Sequence, residues 1–402
     1  MEQRKSFFRG ALLGALTMSV IFIIVIALGL WKGEGSKEEK KKEAELVSKE
    51  TQEKMKSIEE LIEQAYLYSD DIDKAELQEW LIKGYVQGLG DPYSVYYDEA
   101  ETQSLMESTS GEFGGIGVVI QQDIDTMIMT FTNVYAESPG EKAGLKDGDI
   151  LYKVNGEDVT GQELDTVVSK IRGEKGTTVD ITVYRANTME EYSCTVTRNI
   201  IQVTTVAYEM KEDNIGYIIV SGFEQVTYKQ FEEAIRALNN QGMEKMIVDL
   251  RDNPGGNLST VCEMLDLILP EGTIVYTEDK QNVREVITSD DEKQMKIPMA
   301  VLINGNSASA SEIFAGAIQD YKLGTLVGTT TYGKGIVQNI YSLGDGTSLK
   351  LTTSEYFTPN GRNIHGIGIK PDIEVKFEYD EANPTADNQL QAAIEHLKDT
   401  KK

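Results

Sequence analysis

Histidine is almost absent: the 402 residues hold only His365 and His396. Cysteine is as scarce, with Cys194 and Cys262 alone. That supply cannot build a zinc cluster or a disulfide scaffold, and it leaves little for metal-hydrolase or histidine chemistry. Neither a metal nor a cofactor is expected, and the two cysteines are expected to stay unpaired. Positive charge is also in deficit, 39 Lys and Arg against 66 Asp and Glu, for a net charge of −27. Phosphate backbones repel such a chain, so no nucleic-acid partner is expected. Long apolar runs are missing except for one. What is present is 40% hydrophobic residues, enough to fill a core, over a length that suits roughly two or three domains.

The one apolar run is residues 11–30, ALLGALTMSVIFIIVIALGL, with 20 positions free of charge. A helix of that length spans about 30 Å, the hydrocarbon thickness of a bilayer. Arg4, Lys5 and Arg9 precede it, which keeps the N-terminus cytoplasmic and exports the rest. The run is longer than the apolar stretch of a signal peptide and no cleavage site ends it, so a retained single-pass anchor is expected. The fold class expected is multidomain α/β. A cytoplasmic stub and membrane anchor occupy 1–31, a charged linker or stalk 32–57, and a helical region for packing or dimerisation 58–110. A β-rich module fills 111–200, an α/β core with βα units 201–379, and an acidic, then helical tail 380–402. The tail is expected to dock on a partner subunit.

Within 58–110, Leu61, Ile62, Ala65 and Tyr66, then Leu77, Trp80, Leu81 and Tyr85, recur at helical spacing. The loop Gly88–Tyr93 interrupts them. Such amphipathic helices make a homodimer the expected assembly. In the next module, Gly111–Gly117 leads into the strand-like VVIQQ. Ser138-Pro139-Gly140-Glu141-Lys142-Ala143-Gly144 then reads as a capped helical turn with a glycine stop. Asn155-Gly156 is a hairpin signal, residues 162–172 a helix, and TVDITVYR and EYSCTVTR alternate as strands. The run SPGEKAGLKDGDILYKVNGEDV resembles a PDZ domain in the permuted bacterial order. That resemblance implies strand addition by a C-terminal peptide, its carboxylate on the Phe113, Gly114, Gly115, Ile116, Gly117 loop. Arg172 is either a contact for that carboxylate or a cation favoured by the helix end.

The C-terminal half holds two strand–turn–helix units. MIVDLRDNPGG enters the helix LSTVCEMLDLIL, and PMAVLIN passes through Gly305-Asn306 into SASASE and the helix EIFAGAIQDY. Backbone N–H groups at such a helix start suit an oxyanion. Capping needs one serine; here three alternate with alanine, and composition alone does not say which caps and which reacts. A nucleophilic serine needs a base. Lys334, between Gly333 and Gly335, becomes one if burial lowers its pKa. On a strand, Gln338 shares its side and orients it.

SASASE and YGKGIVQ, with 25 positions from Ser309 to Lys334, resemble the carboxy-terminal processing (tail-specific) peptidases. DLRDNPGG, GDPYS and YFTPNGRNIHGIGIKPD fit the same family. The resemblance implies Ser309 as nucleophile, Lys334 as base and Gln338 as its orienting partner. It implies an oxyanion hole from the Ala310 N–H and that of Gly255 or Gly256. Substrates would be proteins with accessible, mostly apolar C-terminal tails. His365 is the rival base, without an acid near it in sequence. Two other readings stay open: a tethered PDZ adaptor with an inactive protease-like half, and a hydrolase of non-peptide substrates.

Overall fold

The computed structural model describes residues 47–400, apart from 186, 189 and 293. The expected anchor at 11–30 lies outside the described residues. Among those described, no helix is long and apolar enough to cross a membrane. The chain divides into two compact units, Met1–Gln78 and Glu79–Lys402. In the first, helix α1 (Lys49–Ala65) starts at Ser48, whose hydroxyl accepts the Thr51 N–H. Of the two readings of 32–57, linker or stalk, the described part is helical from Lys49 onward, as a stalk would be. None of α1 is buried, and Ile58 and Leu61 stay exposed. Helix α2 runs over Lys74–Gln87.

In the second unit, the Gly90–Ser94 turn leads into strand β1 (Val95–Tyr97) and helix α3 (Glu99–Ser110), which an Asp98–Glu101 capping box opens. The β-rich module follows. Its strands are β2 (Glu112–Gly115), β3 (Val118–Gln122), β4 (Met129–Val134), β5 (Ile150–Val154), β6 (Glu157–Asp158), β7 (Thr178–Tyr184), β8 (Glu191–Thr197) and β9 (Asn199–Gln202). The helices α4 (Pro139–Lys142) and α5 (Leu164–Ile171) interleave with them. Strand order is β3-β4-β5-β7-β8, over a core that includes Phe131, Leu145, Val167 and Ile181. Each such buried side chain contributes roughly 1.5–3 kcal/mol.

One expectation needs correcting here. Phe113, Gly114 and Gly115 are not a loop; they are strand β2, paired with Ile201, Ile200 and Asn199 of β9. Gly114 permits this, because the Gly173 carbonyl occupies the space a Cβ would need. Only Ile116 and Gly117 remain in the loop.

The core domain is a six-stranded sheet with order β10-β11-β12-β15-β16-β19, from β10 (Val206–Lys211), β11 (Ile215–Val220), β12 (Lys245–Asp249), β15 (Met299–Ile303), β16 (Gly324–Gly328) and β19 (Ile373–Glu374). All pairs are parallel except β10 with β11. Helices α6 (Thr227–Asn240), α7 (Leu258–Asp266) and α8 (Ala310–Tyr321) bury Met246, Val248, Val301 and Leu326 on one face. The alternate residues, Ile247, Ala300, Leu302 and Val327, point to the other face and meet Ala393 and Leu397 of helix α9 (Asn388–Asp399). The C-terminal tail thus packs on its own sheet rather than awaiting a partner subunit, since those side chains would otherwise face water. Arg251 fastens its start, bonding both Asp249 and Asp387. A further sheet joins β1 to β18 (Ser348–Phe357), β13 (Gly272–Asp279) and β14 (Arg284–Ser289), with β17 (Ile336–Ser342) also on β18.

Candidate active site

β12 and β15 are parallel neighbours, so the turns that follow them meet at the carboxyl edge of the sheet. The three alternating serines divide there. The Ser307 hydroxyl donates to the Leu250 carbonyl at 2.7 Å and that of Ser311 to the Asn253 carbonyl at 2.9 Å. Both are fully buried, their hydroxyls committed to stapling the two turns together. Ser309, between them, is only partly buried. Its backbone is held at φ 54° and ψ −114°. For a residue with a side chain that conformation costs on the order of 1–3 kcal/mol and persists only where surrounding contacts enforce it.

Those contacts converge on Glu312, in the first turn of α8 and fully buried. Its Oε2 accepts the Ser309 N–H at 2.9 Å and the Lys334 N–H at 2.8 Å. Its Oε1 accepts the Gly333 N–H at 2.7 Å and the Thr331 hydroxyl at 2.5 Å. The backbones of Ser309 and Lys334 are thus two hydrogen bonds apart through one oxygen. The Tyr356 hydroxyl, its pKa raised first by burial and then by Glu312, donates to the Ser309 carbonyl at 3.1 Å.

The NPGG turn lies against the same serine. A Cβ on Gly255, at φ +107°, would come within 2.8 Å of Ser309 Cβ and 3.0 Å of the Ala310 nitrogen, so only glycine fits. Gly255 donates its own N–H to Asn253 Oδ1 at 2.8 Å. Ala310 and Gly256 donate theirs to nothing among the described residues.

The side chains are not assembled in the same way. Lys334 precedes β17, which begins at Ile336, so strand alternation does not reach it, and pairing shifts again between Val337 and Gln338. Gln338 Nε2 donates to Thr352 Oγ1 at 3.2 Å instead of meeting the lysine. Lys334 Nζ lies 4.5 Å from the Tyr93 ring centroid. Among the described residues no hydrogen bond joins it to Ser309 or Gln338. Burial pulls Lys334 below its ordinary 10.5, Lys350 lowers it further, and Asp91 opposes both. His365 accepts the Gly335 N–H on Nδ1 at 3.3 Å and has no carboxylate partner among the described residues.

In the β-rich module a groove of about 240 Å³ runs between β3 and α5, lined by Phe113, Gly115 to Ile120, Val168 and Arg172 among others. Arg172 follows the C-terminus of α5 as its cap residue and also lines the groove. Its guanidinium lies 4.5 Å from the Phe113 ring centroid and 3.2 Å from a Glu107 carboxylate oxygen. Cys194 and Cys262 are free.

Sequence reasoning gave no role to Glu312 or Tyr93, although both sit inside motifs it quoted. The Ser-x-x-Glu spacing of 309–312 is a capping-box signature and was the available signal for Glu312. No comparable signal marked Tyr93.

An α/β domain with helices on both faces of its sheet, a strained serine at a helix start whose backbone is tied through Glu312 to that of a half-buried lysine, and a groove-bearing β module ahead of it, defines a class of serine hydrolase folds. Residues 214–375 match peptidase family S41, 130–185 a PDZ domain, and 26–102 the N-terminal domain of the activating protease CtpB. A probable CtpA-like serine protease of Staphylococcus epidermidis is 37% identical over 350 residues, covering 85% of this chain and 70% of that protein. Its counterpart in Staphylococcus aureus is 36% identical over 325 residues, 80% of this chain and 64% of that protein. The photosystem II D1 C-terminal processing protease is 26% identical with a TM-score of 0.45, covering 75% of this chain and 82% of that one. The chain belongs to the peptidase family S41, and it spans just under two thirds of the S. aureus relative's length.

Proposed function

We propose that this protein is a serine endopeptidase that takes protein C-terminal tails into its PDZ groove and cleaves peptide bonds with Ser309 and Lys334. The observation that carries this is the Glu312 carboxylate, which ties the backbones of a strained, accessible serine and a half-buried lysine together. In the reaction the neutral lysine amine takes the Ser309 proton as Oγ attacks the carbonyl, and returns it to the leaving amine. The Ala310 and Gly256 N–H groups receive the oxyanion, each donor being worth about 3–4 kcal/mol. Gly255 joins them only if Asn253 releases its N–H. Gln338 orients the amine once the dyad closes, exchanging Thr352 for Lys334. The chain is anchored through residues 11–30 with its catalytic part outside the cytoplasm, a reading supported by the uncharged run and the basic residues before it. A homodimer is supported by the exposed Ile58 and Leu61 of α1. Sedimentation of a double glutamate variant at those positions should then show monomer.

The decisive measurement is degradation of a disordered protein by the full chain in detergent. Ser309→Ala and Lys334→Arg should both abolish it while the fold is kept, because guanidinium does not give up its proton. An active Lys334→Arg enzyme would sink the base assignment. The adaptor alternative predicts tail binding with no turnover in the unaltered chain.

A further inference from the structure

The Gly90–Ser94 turn does more than separate two helices. Asp91 Oδ1 accepts the Tyr93 N–H at 3.0 Å and its Oδ2 accepts the Ser94 hydroxyl at 2.6 Å. Ser94 Oγ in turn accepts the Thr352 N–H at 3.1 Å. The turn is thereby fixed to the residue of β18 whose hydroxyl holds Gln338. Its Tyr93 ring turns a face toward Lys334 Nζ. We propose that Tyr93 is the resting seat of Lys334, a positioning residue that holds the charged ammonium away from Ser309 until the amine is neutral. The proposal rests on Lys334 being the general base.

An aromatic face attracts an ammonium through its quadrupole and has no comparable hold on a neutral amine. The seat therefore selects the inactive protonation state. Asp91 acts in the same sense, whereas burial and Lys350 on β18 act against it. The remaining groups around the lysine do not compete for its charge: Glu312 engages only the backbone N–H, and His365 takes the Gly335 N–H. Tyr332 beside Tyr93 raises the phenol's pKa, so the seat is a neutral ring rather than a phenolate. Because the Lys334 and Ser309 amides already share one Glu312 oxygen, activation moves side chains over fixed backbones, the lysine's toward Ser309 and that of Gln338 away from Thr352. The ammonium gives its proton to water, Nζ leaves the ring, and the free amine is then able to accept the Ser309 proton.

The test is kcat/KM against pH for the full chain on a disordered protein, comparing wild type, Tyr93→Leu, Tyr93→Phe, Tyr93→Trp and Lys334→Ala. The leucine variant should move the rising limb to lower pH by about half a unit, which is roughly threefold more activity on that limb. Phenylalanine keeps the ring face and should restore the wild-type limb, and tryptophan should move it upward. A folded leucine variant with an unmoved limb overturns the proposal, as does phenylalanine behaving like leucine. If leucine does not fold, an unmoved limb in the tryptophan variant overturns it instead. Activity surviving in Lys334→Ala would instead bring down the general-base reading itself, an outcome distinct from an unmoved limb in an enzyme that needs Lys334.

Discussion

Glu312 is a buried carboxylate whose four described hydrogen bonds come from three backbone N–H groups and a hydroxyl, with no cation among them. Charge-assisted bonds of this kind are stronger than neutral ones, and the first turn of a helix favours a negative charge. Glu312→Gln keeps the shape but turns an NH2 toward donors that need an acceptor. It should lose about 2 kcal/mol or more in urea unfolding, and activity should fall on the order of tenfold or more as Ser309 relaxes from its strained backbone. A glutamine variant with unchanged stability would mean that water replaces the carboxylate. Lys334 carries a second residue-scale consequence. Burial lowers its folded pKa below 10.5, the value it regains on unfolding. Between the two values the unfolded chain binds more protons, so stability rises with pH across that window. Lys334→Met should lose that slope in urea titrations and be the more stable protein on the acid side, though inactive. The small neighbours of Ser309 and Lys334 were legible in sequence, whereas which of the three serines keeps its hydroxyl uncommitted was not, because that depends on the Leu250 and Asn253 carbonyls. Gln338 rests on Thr352 and not on Lys334, because Lys334 precedes the strand and alternation along β17 does not reach it.

At the scale of elements, parallel strands and their helices could be read directly, because MAVLI is apolar throughout, MIVDL is apolar but for Asp249, and each runs through a turn into a helix. The β13, β14 and β18 strands were not foreseen. Their sequences mix polar and apolar residues, and β18 pairs, besides its neighbour β17, with β13 and with β1, the latter some 250 positions earlier, distances at which local pattern carries no information. Helix α9 was seen as a helix but assigned the wrong neighbour, since amphipathicity names a face and not its partner. Helix α3 offers the prediction here. Its Glu107 already occupies the Arg172 guanidinium at the rim of the groove, so a tail carboxylate entering there competes with a resident anion. Glu107→Gln should tighten binding of a peptide with a free C-terminal carboxylate by about threefold, the scale of an exposed ion pair. The same peptide amidated should bind both proteins alike. Fluorescence anisotropy with the two peptides checks this, and equal tightening of both would assign the effect to groove packing instead of charge.

For the molecule as a whole, the succession of a PDZ module and a protease core was legible because each carries its own turn chemistry, whereas the surroundings of Lys334 were not, since the Tyr93 ring under its Nζ lies more than 200 positions away. The property that belongs to no single domain is charge. With a net charge of −27, the protein surrounds itself with a negative potential that reaches about one Debye length, roughly 8 Å at physiological salt. A disordered substrate bearing lysines near its C-terminus is drawn into that field, and one bearing glutamates is repelled before any contact forms. Encounter should respond to salt while the buried chemistry should not, because ions screen exposed charges far more than a half-buried amine. The prediction is that kcat/KM for the lysine-bearing substrate falls as salt rises, that for the glutamate-bearing substrate climbs, and kcat stays level for both. Opposite slopes would place substrate selection partly in long-range attraction. Parallel, flat profiles would leave it entirely to the apolar groove and the Arg172 rim.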